Sequence, residues 1–114
     1  MIHEMKLNPK YYNFIKNGTK RIEIRLNDEK RQKLKVGDKI KFINEQNKEK
    51  SFLVTIIKLT KYNSLEKLIN NNKIETLADK QITKEELTKD IEKFYTKEKQ
   101  QKYGMLEIKF KLTN

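Results

Sequence analysis

The spacing of apolar residues changes period twice along this chain, and that change limits the fold more than any other feature. Residues 20–26, Lys-Arg-Ile-Glu-Ile-Arg-Leu, alternate with a period of two. Ile22, Ile24 and Leu26 share one face of a strand, and Arg21, Glu23 and Arg25 share the other. From Ser64 onward the spacing becomes helical. Over 105–112 alternation returns, with Leu106, Ile108, Phe110 and Leu112 set against Met105, Glu107, Lys109 and Lys111. Strands on both sides of a helical stretch imply that the last strand returns to an early one.

The remaining elements fit between these. His3–Leu7 alternates as a first strand. Asn8-Pro9 opens a helix, with Asn8 as N-cap and Pro9 at its first position. Tyr11, Tyr12, Phe14 and Ile15 give that helix one apolar stripe, and Asn17-Gly18 closes it with Gly18 in a left-handed cap. Asn27-Asp28 caps a short helical turn over 29–32. Val36-Gly37-Asp38 turns into a strand over 39–43, and 51–62 is a long β-rich run. A short helix covers 64–69. Thr83-Lys84-Glu85-Glu86 fits a capping box opening a helix that carries Leu87, Ile91, Phe94 and Tyr95, followed by a helical turn over 96–102. The order predicts a small α+β domain spanning 1–114, with four or five strands forming an open or closed barrel.

Composition excludes several functions. The 114 residues contain no cysteine and one histidine, which removes disulfides, thiolate metal sites and cysteine nucleophiles. His3 reads as an exposed edge residue. No carboxylate set has metal-ligand spacing and no Ser-His-Asp arrangement is available, so neither metal nor cofactor is expected. No apolar run reaches the roughly 20 residues of a membrane span, and the N-terminus lacks a signal peptide's apolar core. A cytoplasmic protein without membrane contact is expected.

The net charge is +11, and 38% of residues are charged, against about 25% in ordinary domains. A bias toward Lys, Ile and Asn across a genome also produces such an excess. Two details go beyond that bias. Residues 1–61 hold 16 cations and seven acids, whereas 62–114 hold 11 and nine. All three arginines, Arg21, Arg25 and Arg31, fall within eleven residues. Arginine supplies a planar, forked donor suited to phosphate, carboxylate or a base edge. Tyr11, Tyr12, Tyr62 and Tyr103 are candidate stacking platforms for single-stranded RNA, with Tyr103 beside Gly104 the first to test.

The stretch Asn17-Gly18-Thr19-Lys20-Arg21-Ile22-Glu23-Ile24-Arg25 resembles the G-x-K-x-x-E-x-R signature of the ASCH domain, a branch of the PUA-like superfamily. The Lys35–Phe42 block with its Gly37-Asp38, Phe94-Tyr95, and Tyr103-Gly104 before the last strand match in the same order. The resemblance covers essentially the whole chain and is to a small single-domain, bacterial-type member. It implies a PUA-like β-barrel of about five strands with flanking helices, and a cleft that carries the signature and binds RNA or a nucleotide. Gly18, Lys20, Glu23 and Arg25 map onto the signature. With Arg21, Arg31 and Tyr103 they form the expected ligand-binding set: Arg25 on phosphate or carbonyl, Lys20 on phosphate, Glu23 on an exocyclic amine. The alternative is a hydrolase of a modified nucleoside, similar to the N4-acetylcytidine amidohydrolases of the family, or an RNA-cleaving enzyme, with Lys20 and Glu23 catalytic. The amidohydrolase set also includes a Thr and a downstream Glu. This chain has Glu23 at the Thr position, and Asp79, Lys80 and Glu85 give no match to the Glu.

Overall fold

Every strand is built on a hydrophobic face, and the sheet they form has two distinct apolar layers. The computed structural model describes residues 1–113. The elements are β1 (Ile2–Leu7), α1 (Pro9–Lys16), β2 (Ile22–Leu26), a single 3-10 turn (Arg31–Lys33), β3 (Lys39–Asn44) and β4 (Ser51–Tyr62). They continue with α2 (Leu65–Asn70), α3 (Ile74–Leu77), α4 (Lys84–Glu92), α5 (Lys97–Tyr103) and β5 (Met105–Leu112). The strands form one sheet in the order β1-β3-β4-β5-β2. Among the described residues, β1–β3 is the one parallel pair. The sheet curls into a half-barrel with flanking helices, an α+β architecture consistent with a PUA-like fold.

One face of the sheet, closed by Tyr12 and Ile15 of α1, buries Ile40, Phe42, Val54, Ile56, Ile108 and Phe110. The other face, through Ile22, Ile24 and Leu26, packs on Leu68, Leu77 and Leu87 of the helices. Helix α1 therefore carries two stripes rather than one: Tyr12 and Ile15 join the first layer, while Tyr11 and Phe14 pack on the second. Asn8 caps α1 by accepting the Lys10 N–H at 2.8 Å, as its sequence implies.

Strand β4 does not alternate along its length because a bulge interrupts it between Ile56 and Lys58. Val54 and Ile56 before the bulge, and Leu59 after it, thus reach the same layer. Ile57, the extra residue, stays exposed. Helix α3 was not expected from the sequence, and α4 stops at Glu92, short of Phe94 and Tyr95. His3 is not a free edge residue: its Nε2 lies 2.8 Å from Asp38 Oδ2.

Gly104 has a structural reason. Its φ is +74°, and a Cβ there would stand 2.8 Å from the Tyr62 carbonyl oxygen. Backbone on both sides gives neither atom room to retreat. Gly104→Ala should lose about 1–3 kcal/mol of stability, read as a lowered urea midpoint. An unchanged midpoint would mean that the α5–β5 turn relaxes freely.

Candidate functional site

Four elements converge on a cavity of about 620 Å3: the end of β1, the start of α1, the signature strand β2 and helix α4. Lys20, Glu23 and Arg25 all line it. Their placement follows from the local fold. Gly18, at φ +93°, reverses the chain after α1, and the Thr19 and Lys20 amides donate to the Phe14 carbonyl. That turn sends Lys20 inward, and its side chain is 2% exposed. Strand β2 then places Glu23 opposite Ile108 and Arg25 opposite Leu106 of β5. Both partners belong to the first apolar layer, so the charged face expected along this strand is covered rather than solvated.

Glu23 holds the set together. Its Oε2 accepts from Arg25 Nε at 2.9 Å and lies 2.8 Å from Arg25 Nη2. Its Oε1 meets Lys20 Nζ at 3.2 Å and the Ile24 N–H at 3.2 Å. Both carboxylate oxygens are therefore engaged by protein donors. Arg25 Nη2 reaches further, donating to the Lys6 carbonyl at 3.0 Å. Lys6 and Arg25 lie on the two edge strands of the sheet, so this bond spans the open side of the half-barrel.

Burial alone would raise the Glu23 carboxyl, but the charges of Lys20 and Arg25 outweigh it and hold the group below the usual range. Burial pulls Lys20 below its ordinary value; Glu23 opposes that fall and Arg25 adds to it. Lys20 Nζ has three acceptors, Glu23 Oε1 and the carbonyls of Ile22 and Leu77. They match the three N–H bonds of an ammonium. This bonding suits the ammonium form, and the same donors anchor α3 to β2.

A second network lines the same cavity. The Tyr11 hydroxyl donates to Asp90 Oδ2 at 2.6 Å, and Lys10 Nζ contacts the same oxygen at 2.9 Å. Lys20 Nζ sits 5.7 Å from the centroid of the Tyr11 ring, which links the two networks. Burial first, then Asp90, pushes the Tyr11 hydroxyl well above its ordinary value, so it stays protonated and donates. Burial would raise Asp90, but Tyr11 and Lys10 outweigh it and keep it ionised. In all, five cations and three carboxylates line the cavity.

The other expected residues lie elsewhere. Gly18 shapes the turn outside the cavity lining. Arg21 precedes the strand; its guanidinium donates to the carbonyls of Ile15 in α1 and of Lys20 in the turn after it. Glu23 is therefore not flanked by Arg21 on one face, as alternation implied. Arg31 pairs with Asp28 at 2.7 Å on the 3-10 turn. Tyr103 packs against the second apolar layer beside Lys102. Tyr12 is buried core, and Tyr62 bonds Asn71 and Glu107. Asp79 bonds Thr19, and Glu85 belongs to a different hollow between α2, α4 and α5 that holds none of the signature side chains.

Alternation does not reveal the contribution of α4 and the turn after it: Asp90 of the helix and Phe94 and Tyr95 of the turn line the cavity, with the Tyr95 hydroxyl against the Arg25 guanidinium. The spacing of Leu87, Asp90, Ile91 and Phe94 on one helical face was the available signal. Among the described residues, no group of three or more His, Cys, Asp or Glu side chains is arranged to hold a metal ion, and no helix is long and apolar enough to cross a membrane.

A half-barrel whose two edges are joined through a buried Lys-Glu-Arg set defines a class of small α+β domain. Within that class the chain belongs to the ASCH domain family, whose model matches residues 5–114. ASCH domains are generally thought to bind RNA. The crystal structure of hypothetical protein PH0355 from Pyrococcus is similar, at 34% identity over 99% of this chain and 100% of that one, with a TM-score of 0.86. So is the solution structure of protein PF0455 from Pyrococcus furiosus, at 32% identity over 100% and 99%, TM-score 0.78. No curated protein matches.

Glu23→Gln leaves the buried Lys20 without its counter-charge and should lose about 3 kcal/mol at neutral pH. Because the folded-state carboxyl titrates below its unfolded value of about 4.3, its stabilisation is present above that pH. It fades as pH falls through the lower folded value. Denaturation of both proteins from pH 7 to 3 should show the gap closing in acid. A gap independent of pH would remove the charge from the explanation.

Proposed function

We propose that the chain is an RNA- or nucleotide-binding protein whose ligand enters the cavity at the signature strand. The observation that carries this is the convergence of Lys20, Glu23 and Arg25, with lysines and aromatic side chains, in one hollow of about 620 Å3. Lys6, Lys10 and Lys93 supply positive charge for phosphate. Tyr95, Ile91 and Phe94 supply an apolar wall of the kind on which bases lie.

The roles of the signature residues follow from their bonding. Glu23 is a positioning residue that presents Arg25, since its own oxygens are already engaged. Arg25 contacts the ligand's phosphate or carbonyl. Lys20 contributes its positive charge from below rather than a direct bond. The same saturation of Lys20 favours binding over hydrolysis, because a nucleophile or base needs a free lone pair.

Single-stranded RNA should bind at 50 mM salt and lose about tenfold or more in affinity by 200 mM, the response of roughly three phosphate contacts. Replacing Lys6 and Lys93 with Ala should flatten the logarithmic salt slope by about 1.4. Fluorescence anisotropy reads both. Failure to bind RNA at the lower salt would overturn the polymer reading. Turnover of N4-acetylcytidine lost in Lys20→Ala would instead favour the hydrolase.

A further inference from the structure

The wall facing the signature strand is one face of α4 and the turn after it. Leu87, Asp90, Ile91 and Phe94 line the cavity together. The carboxylates there are not equivalent. Glu23 is fully occupied by Lys20, Arg25 and the Ile24 amide. Glu45 is exposed. Asp90 is different: Oδ2 takes the Tyr11 hydroxyl and Lys10, whereas Oδ1 has Lys93 Nζ at 3.5 Å. The Lys93 side chain is 72% exposed, and an ion pair of that kind contributes little and yields readily to a ligand. Asp90 Oδ1 thus keeps acceptor capacity on a side chain that lines the cavity. One turn further on, Phe94 is 68% exposed and lines the same hollow, leaving an aromatic surface uncovered.

We propose that this face of α4 selects the ligand: Asp90 Oδ1 accepts a hydrogen bond from the exocyclic amino group of a nucleobase whose ring lies against Phe94. The inference rests on the nucleotide-binding reading above and adds to it a preference for amino-bearing bases. Adenine and cytosine present an N–H donor where hypoxanthine and uracil present a carbonyl oxygen. An ionised carboxylate facing a carbonyl leaves two acceptors opposed with no proton between them. Discrimination by an unpaired polar group is stronger than discrimination by shape. Tyr11 fixes the carboxylate by its bond to Oδ2, so that Oδ1 is oriented before the ligand arrives.

Titration calorimetry at 50 mM salt with AMP against IMP, and CMP against UMP, compares pairs that differ at this group. AMP and CMP should bind about tenfold more tightly than their partners, a difference of about 1.4 kcal/mol. Asp90→Asn, whose amide both donates and accepts, should bring each ratio to within about twofold of unity. Asp90→Ser reads the same ratios should the first variant fail to fold. Phe94→Ala should weaken all four nucleotides by a similar factor and leave the ratios unchanged. Equal binding within the wild-type pairs, or ratios that survive both Asp90 variants, overturns this inference while nucleotide binding stands. No nucleotide binding with RNA binding retained also overturns it alone, and loss of both overturns it together with the reading on which it rests.

Discussion

The bond from Arg25 to the Lys6 carbonyl joins the two edges of a sheet that does not otherwise close. An unpaired edge strand exposes a row of backbone donors and acceptors. Here one guanidinium bridges the gap, and it is held in place by a carboxylate that is itself held by a buried ammonium. The arrangement is a relay of geometry: Lys20 fixes Glu23, Glu23 fixes Arg25, and Arg25 fixes the separation of β1 and β2. The cavity occupies that separation, so its floor and its frame are built from the same three side chains.

Burying three charges is unfavourable unless each finds partners. Besides one another, their partners come from three elements: Lys6 of β1, Ile22 and Ile24 of β2, and Leu77 of α3. All four residues contribute main-chain groups, Lys6 included. Carbonyl and amide groups supply the solvation that water supplies elsewhere, and they do so only when the surrounding elements are in register. A charged set solvated by backbone is held by the elements that carry it, so its geometry is as rigid as the fold around it.

Much of the fold was legible in the sequence because its elements carry strong local signals. Asn8-Pro9 and Thr83 cap helices as read, and the alternation over 105–112 gives β5 its buried face. Lys20, Glu23 and Arg25 stand close together in the sequence, and the structure brings them into one cavity. Arg21 continues the alternation but lies one residue before β2 starts, and a strand pattern does not report where a preceding turn releases the chain. Strand β4 was readable as β but not in register, since a bulge leaves no residue-type mark of its own. The role of α4 was hidden for another reason. Asp90 and Phe94 read as ordinary members of a charged, amphipathic helix, and only the long-range contact of Asp90 with Tyr11 gives them a shared cavity.

The position of β5 in the sheet has a temporal consequence. It lies between β4 and β2, so the signature strand has no strand partner until residues 105–112 are in place. The pairing of Glu23 with Ile108 spans most of the chain, so closing it costs more chain entropy than the local β3–β4 pairing. During synthesis the parallel β1–β3 pair and the β3–β4 hairpin can assemble first, leaving Lys20, Glu23 and Arg25 in water. The cavity is then completed only when β5 has paired with β2, and until that happens its three charged side chains are not held together.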